Sequence, residues 1–158
     1  MRKEDNNKIL VIGIGNIGRQ DDALGWLFLD YVKSLNFIDI DAEYRYQLQI
    51  EDAELLCNYN KVIFVDAVKS TVEKGFYCKK CIPLNKHAFT SHQLSPETIM
   101  YLANNLYHHR PGAFIIGIQG YSWNLKYGLS NNAKNNLEQA KEFFTKLLPV
   151  TVANKNIC

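Results

Sequence analysis

The chain has 158 residues, 47% of them hydrophobic, and is the size of one ordinary globular core that buries roughly two thirds of its unfolded surface. Its 18 Lys and Arg against 16 Asp and Glu leave a formal charge of +2 without a concentrated basic stripe, which argues against a nucleic-acid partner. The polar opening MRKEDNNK, and an apolar run from Ile9 to Ile14 broken by Gly13, supply neither a signal h-region nor a membrane span. Four cysteines, at 57, 78, 81 and 158, lack the spacing of a secreted disulfide framework, so the expectation is a cytoplasmic protein with reduced thiols and no membrane insertion.

In chain order, residues 8 to 13, KILVIG, read as a buried strand ended by glycine. Residues 22 to 35 carry Leu24, Leu27, Phe28, Tyr31 and Val32 on one side of a helix. A flanking strand over 42–47 and a helical stretch over 51–59 follow, and then a second buried strand, KVIFVD at 61–66, which ends on an acid. The alternating segment 76–82 predicts another strand. Ser95 as N-cap and Pro96 at the first helical position announce a helix over 96–107, closed near His108 and His109 before Arg110 and Pro111. A third buried strand at 113–118 and a helix over 131–148 complete the chain. The alternation predicts an α/β fold: a single three-layer αβα sandwich over residues 1–158 with a mostly parallel, twisted, five-stranded sheet.

Gly13, Gly15 and Gly18 spell GxGxxG directly after a strand, a pattern that lets backbone approach a pyrophosphate. In a dinucleotide-binding unit the helix opens at the third glycine. Here Arg19, Gln20, Asp21 and Asp22 intervene, two carboxylates at the helix mouth repel phosphate, and the second strand ends near Gln47, where a ribose-binding acid should stand. A dinucleotide-dependent oxidoreductase is therefore the weakest of three functional readings.

Asp22 at the entrance of the first helix, Asp66 at the end of a central strand and His92 in the loop before the third helix are candidates for one site, because loops at the carboxyl edge of an open α/β sheet converge. Two carboxylates and an imidazole form an oxygen and nitrogen set suited to nickel or zinc, with positions left for water or substrate. The plain alternatives are helix capping for Asp22, a polar strand terminus for Asp66 and a backbone-bonded loop histidine for His92; for Asp21 helix capping is the preferred reading. No Ser, His and Asp set, no Cys and His signature and no HExxH helix stands out, which disfavours covalent catalysis. Cys78 and Cys81 form CxxC with no second pair to complete a zinc site and read as ordinary strand residues. Tyr121, Trp123 and Tyr127 follow the third buried strand and are candidates to wall a peptide cleft.

The segment GIGNIGRQDDALG at 13–25, followed by FVDA at 64–67, SHQL at 91–94, and GIQ with a later GLS within 117–130, resembles the hydrogenase maturation protease family in order and spacing. The resemblance implies an endopeptidase that removes the C-terminal extension of a nickel-containing hydrogenase large-subunit precursor. It also implies metal contact at Asp22, Asp66 and His92, with nickel carried by the substrate; Gln93 and Gln119 are candidates to orient ligands or substrate, with an ordinary surface glutamine as the equal alternative. A metal-activated water, or a grip on nickel already seated in the precursor, are both compatible with it, as is a nonproteolytic nickel-centre binding module that keeps the ligands. The chain departs from the family pattern at Ala23, where glycine is common, and in YRYQLQIEDAELL, residues 44–56, which has no glycine and is expected to line the substrate cleft with divergent specificity.

Overall fold

A computed structural model describes residues 7–85 and 94–153, with side chains described as far as residue 148. Strand β1 (Ile9–Ile14) is buried along its whole length, and β5 (Gly112–Gln119) along all but its first residue. Such continuous apolar runs need helices on both faces, and that is what surrounds them. The sheet order is β2-β1-β3-β5-β4, with β2 (Ile40–Arg45) and β4 (Phe76–Lys80) at the edges and β3 (Lys61–Val68) in the centre. Pairings β1·β2, β1·β3 and β3·β5 are parallel, and only β4 runs antiparallel, against β5. The expected five-stranded, mostly parallel αβα sandwich is thus the observed one.

Alternation along the strands sends side chains to two cores. Ile9, Val11, Ile63, Val65 and Ile116 face Phe28 and Leu29 of α1 (Leu24–Ser34) and Leu137 and Phe144 of α4 (Asn131–Ala153). Leu10, Ile12, Val62 and Phe64 face the other way, against Ile99, Met100 and Ala103 of α3 (Pro96–Tyr107) and the short α2 (Asp52–Leu55) with its following 3-10 turn. Each such large apolar side chain contributes roughly 1.5–3 kcal/mol by leaving water, so the two layers supply most of the driving force.

The local signals for α3 hold in detail: Ser95 Oγ accepts from Thr98 N at 3.2 Å, Pro96 fills the first turn, and His108 ends the helix in the left-handed region at φ 52°. Several boundaries move: β2 covers Ile40–Arg45 rather than 42–47, β4 ends at Lys80 rather than at 82, and the helix expected over 51–59 is α2 with a 3-10 turn over Leu56–Asn58. Helix α1 starts at Leu24 rather than at 22, after a 3-10 turn over Gln20–Ala23, and β3 continues two residues beyond Asp66 because Ala67 and Val68 still pair with Ile118 and Gln119. Cys57 and Cys81 are not disulfide-bonded and Cys81 is buried, so the CxxC pair is not bridged to itself. Cys78 is disulfide-bonded, which corrects the expectation of reduced thiols at that position; spacing along the chain carries no information on which thiols the fold brings together. Among the described residues no helix is long and apolar enough to cross a membrane.

Candidate active-site cleft

From β1 the chain crosses to β2 on one side and later to β3 on the other, which opens a crevice beyond the carboxyl ends of β1 and β3. A cleft of about 530 Å³ lies there. Asp22 and Asp66 both line it, with Arg19, Lys69, Trp123 and residues 46–48 around them. The glycines of the first loop explain how these parts come so close. A Cβ on Gly15 would overlap the Asp22 carbonyl, and one on Gly25 would overlap Ile14 O and stand 2.6 Å from Val65 O. Strand β1, strand β3 and the start of α1 therefore touch backbone to backbone. The same loop has little left for a pyrophosphate: Gly15 N is bound to Arg45 O, Asn16 N to Asp22 O, Arg19 N to Asn16 O, and Gly18 N to Asn16 Oδ1. Its glycines serve strand-to-helix packing, and its amides are spent internally.

Asp66 is the more perturbed of the two acids. Burial, reinforced by the neighbouring Asp22 charge, pushes its carboxyl up to about 7, against one compensating hydrogen bond from Ala67 N to Oδ1 at 2.8 Å. Asp22 is also raised by burial, although the Arg19 and Lys69 charges and the Asn16 N–H pull it back. Two carboxylates with so few donors in one cleft favour either a shared proton or a bound cation. Among the described residues no third His, Cys, Asp or Glu joins them. His92 and Gln93 lie outside the described residues.

The neighbouring acid Asp21 behaves in the opposite way, and the helix-capping role expected for it is not what the fold uses. It is fully buried, and its carboxylate accepts from Tyr121 N (2.7 Å), Ser122 N (2.9 Å), Ser130 N (2.8 Å) and Ser130 Oγ (2.7 Å). Burial alone raises its pKa, but these four donors outweigh that and the net shift is downward. Gln20, held at φ 45°, adds bonds from its N to Lys126 O and from Asn124 N to its Oε1. Together they fix the 121–130 loop over the cleft. Of its aromatics, Trp123 lines the cleft under the Lys69 ammonium at 5.1 Å, whereas Tyr127 is 80% exposed and Tyr121 accepts from Asn136 Nδ2.

Gln119 is buried outside the cleft lining: its Oε1 accepts from Val72 N and its carbonyl from Asn136 Nδ2, so it ties the β3–β4 connection to α4. The glycine-free segment after β2 does reach the cleft, through Tyr46, Gln47 and Leu48. Arg45 Nε bound to Asp52 Oδ1 at 2.9 Å, and Gln49 N bound to Asp52 Oδ2 at 2.8 Å, hold it in place of glycine turns. Leu48 bridges antiparallel to Leu94, so the segment entering α3 closes the far wall.

No family model and no curated protein sequence matches the chain. Solved structures do. A [NiFe] hydrogenase maturation protease from Thermococcus kodakarensis is similar at 23% identity and TM-score 0.71, covering 94% of each chain. A hydrogenase maturating endopeptidase from E. coli is similar at 19% identity and TM-score 0.68, covering 91% of this chain and 93% of its own. A hydrogenase 2 maturation peptidase from a Thaumarchaeota archaeon gives 24% and 0.63, with 89% and 97% covered. The chain shares their fold over nearly its full described length.

Proposed function

We propose that this chain is a cytoplasmic endopeptidase that removes the C-terminal extension of a nickel-containing hydrogenase large-subunit precursor. The observation that carries the reading is the meeting of Asp22 and Asp66 in one cleft, at the switch point of a fold shared with hydrogenase maturation proteases. Leu94, two residues after His92, lines the same cleft and supports His92 as the third metal contact. The donor set fits a divalent cation: one acid is displaced to about 7 by burial and its neighbour's charge, and positive charge between them relieves both.

The nickel is part of the substrate, seated in the precursor, and Asp22, Asp66 and His92 grip it so that the peptide bond to be cut lies along the cleft. Lewis-acid polarisation of the scissile carbonyl, or activation of a water, is the chemistry such a cation supplies. Asp66 contributes proton exchange near neutral pH, and Arg19 and Lys69 keep Asp22 closer to its ionised form than burial alone would. Tyr46, Leu48 and Trp123 give the extended peptide an apolar wall.

Mass spectrometry of a nickel-loaded large-subunit precursor, before and after incubation with the protein, tests the reading. Loss of a C-terminal peptide is expected. Nickel-dependent association without any peptide released would instead make the chain a nonproteolytic nickel-centre binding module.

A further inference from the structure

Tyr77 belongs to no motif, yet the register of the sheet puts it beside the cleft. Asp66 of β3 is paired with Gly117 of β5, and Gly117 is paired on its other side with Tyr77 of β4. Residues paired in one row of a sheet send their side chains to the same face, so Asp66 and Tyr77 stand on either side of a position that has no side chain. The phenol fills that gap. A Cβ on Gly117 would lie 2.7 Å from the Tyr77 hydroxyl oxygen and closer still to the ring carbons that carry it. The polar end of the ring is therefore laid across Gly117, toward Asp66. The remainder of the ring packs against the α2 and α3 core, which fixes its direction.

Two further observations locate the hydroxyl. Burial first, and then the charges of Asp66 and of Glu97 in the first turn of α3, raise the Tyr77 pKa, in keeping with the placement across Gly117 that the register gives. Its oxygen makes no hydrogen bond to any described residue, and among those residues no fully buried polar side-chain atom is left without a partner. The hydroxyl is thus a donor that remains accessible, at the end of the sheet where Asp66, Ser95 and Pro96 line the cleft.

We propose that Tyr77 is a positioning residue for Asp66, its hydroxyl donating across one water to the carboxylate oxygen that Ala67 N does not use. Gly117 is required because any side chain there would displace the phenol. The hydrogen bond holds the carboxylate in one orientation as it meets a cation or a substrate oxygen. The consequence for cleavage rests on the peptidase reading above; the contact itself does not.

A double-mutant cycle with Tyr77→Phe and Asp66→Ala, read by denaturant unfolding at pH 8, isolates the contact without any substrate. Phenylalanine keeps the ring over Gly117 and removes only the hydroxyl. The expected result is that Tyr77→Phe changes the unfolding equilibrium constant at least fivefold differently in the two backgrounds. Equal effects in both would overturn the proposal, because a ring that serves packing alone loses the same amount with or without the carboxylate. With the precursor as substrate, Tyr77→Phe is expected to lower kcat about tenfold with KM within twofold; unchanged kcat in a variant that processes normally would also overturn it. Failure of the unsubstituted protein to process any precursor sinks the peptidase reading and leaves the outcome of the cycle decisive for Tyr77.

Discussion

Replacing Asp66 by asparagine should stabilise the fold while abolishing processing, and the size of the stabilisation follows from the cleft. In the folded protein the carboxyl is displaced from 3.8 to about 7, with burial as the main cause. At roughly 1.4 kcal/mol per pH unit this corresponds to about 4 kcal/mol of penalty on the ionised form. The sign is fixed by the direction: a raised acid is stabilising in its protonated form, so stability is full below about 4 and falls as pH rises toward 7. Asparagine has nearly the same shape, can keep the Ala67 N–H bond through its Oδ1, and never ionises. Because the side chain retains some exposure, a gain of about 1–3 kcal/mol at pH 8 is a fairer expectation than the full figure. Urea unfolding of both proteins at pH 5 and pH 8 measures it. The gain at pH 5 should be less than half of that at pH 8, since only the lower part of the titration lies below that pH. An Asp66→Asn protein that is no more stable at pH 8, or whose gain is the same at both values, refutes the account of a carboxylate held against its own solvation.

Asp21→Ala should cost about 3–5 kcal/mol, because three backbone N–H groups and the Ser130 hydroxyl lose a buried anionic acceptor together; thermal unfolding measures it. With its pKa lowered, the unsubstituted Asp21 stabilises the fold above 3.8 and gives up that contribution as pH falls through its lower folded value, so the gap between the two proteins should narrow in acid. Gly25→Ala gains about 1 kcal/mol of helix propensity, but its Cβ meets the carbonyls of Ile14 and Val65, which are backbone and cannot step aside. A net loss of about 1–3 kcal/mol and a fall in processing are expected, both measurable on one purified variant.

The sheet and its helices were legible because their signals are local. KILVIG and KVIFVD are too apolar for anything but strands covered on both faces, and Ser95 with Pro96 marks the start of α3 to the residue. Asp22 and Asp66 were legible for a related reason, since strand ends and helix mouths at the carboxyl edge must converge. What stayed hidden depends on distant partners. Asp21 and Asp22 are the same residue type in adjacent positions, and only the 3-10 turn begun by Gln20 at positive φ sends one to the 121–130 loop and the other to the cleft. The GLS run hinted at this, because Ser130 both precedes α4 and donates to Asp21, but nothing in the sequence names its acceptor. Gln119 was a candidate helper of the site and instead ties the β3–β4 connection to α4. The row from Asp66 across Gly117 to Tyr77 depends on strand register, which no single strand encodes.

The contrast between the acids is itself an argument about what the cleft is for. Where this fold needs a carboxylate for stability, it surrounds it with donors: Asp21 has four, and Asp52 receives both Arg45 and Gln49 N. Asp66 is treated otherwise. It is given one backbone N–H, a second carboxylate close by, and burial that opposes its charge. Protein stability gains nothing from that arrangement, and a buried apolar residue at the same strand position would serve the core better. Such a local loss marks a functional position, and either of two things relieves it: a proton shared between Asp22 and Asp66, or a positive charge bound between them. Under the proposed function the substrate's cation supplies that charge, and below about pH 7 the proton on Asp66 does so in its absence.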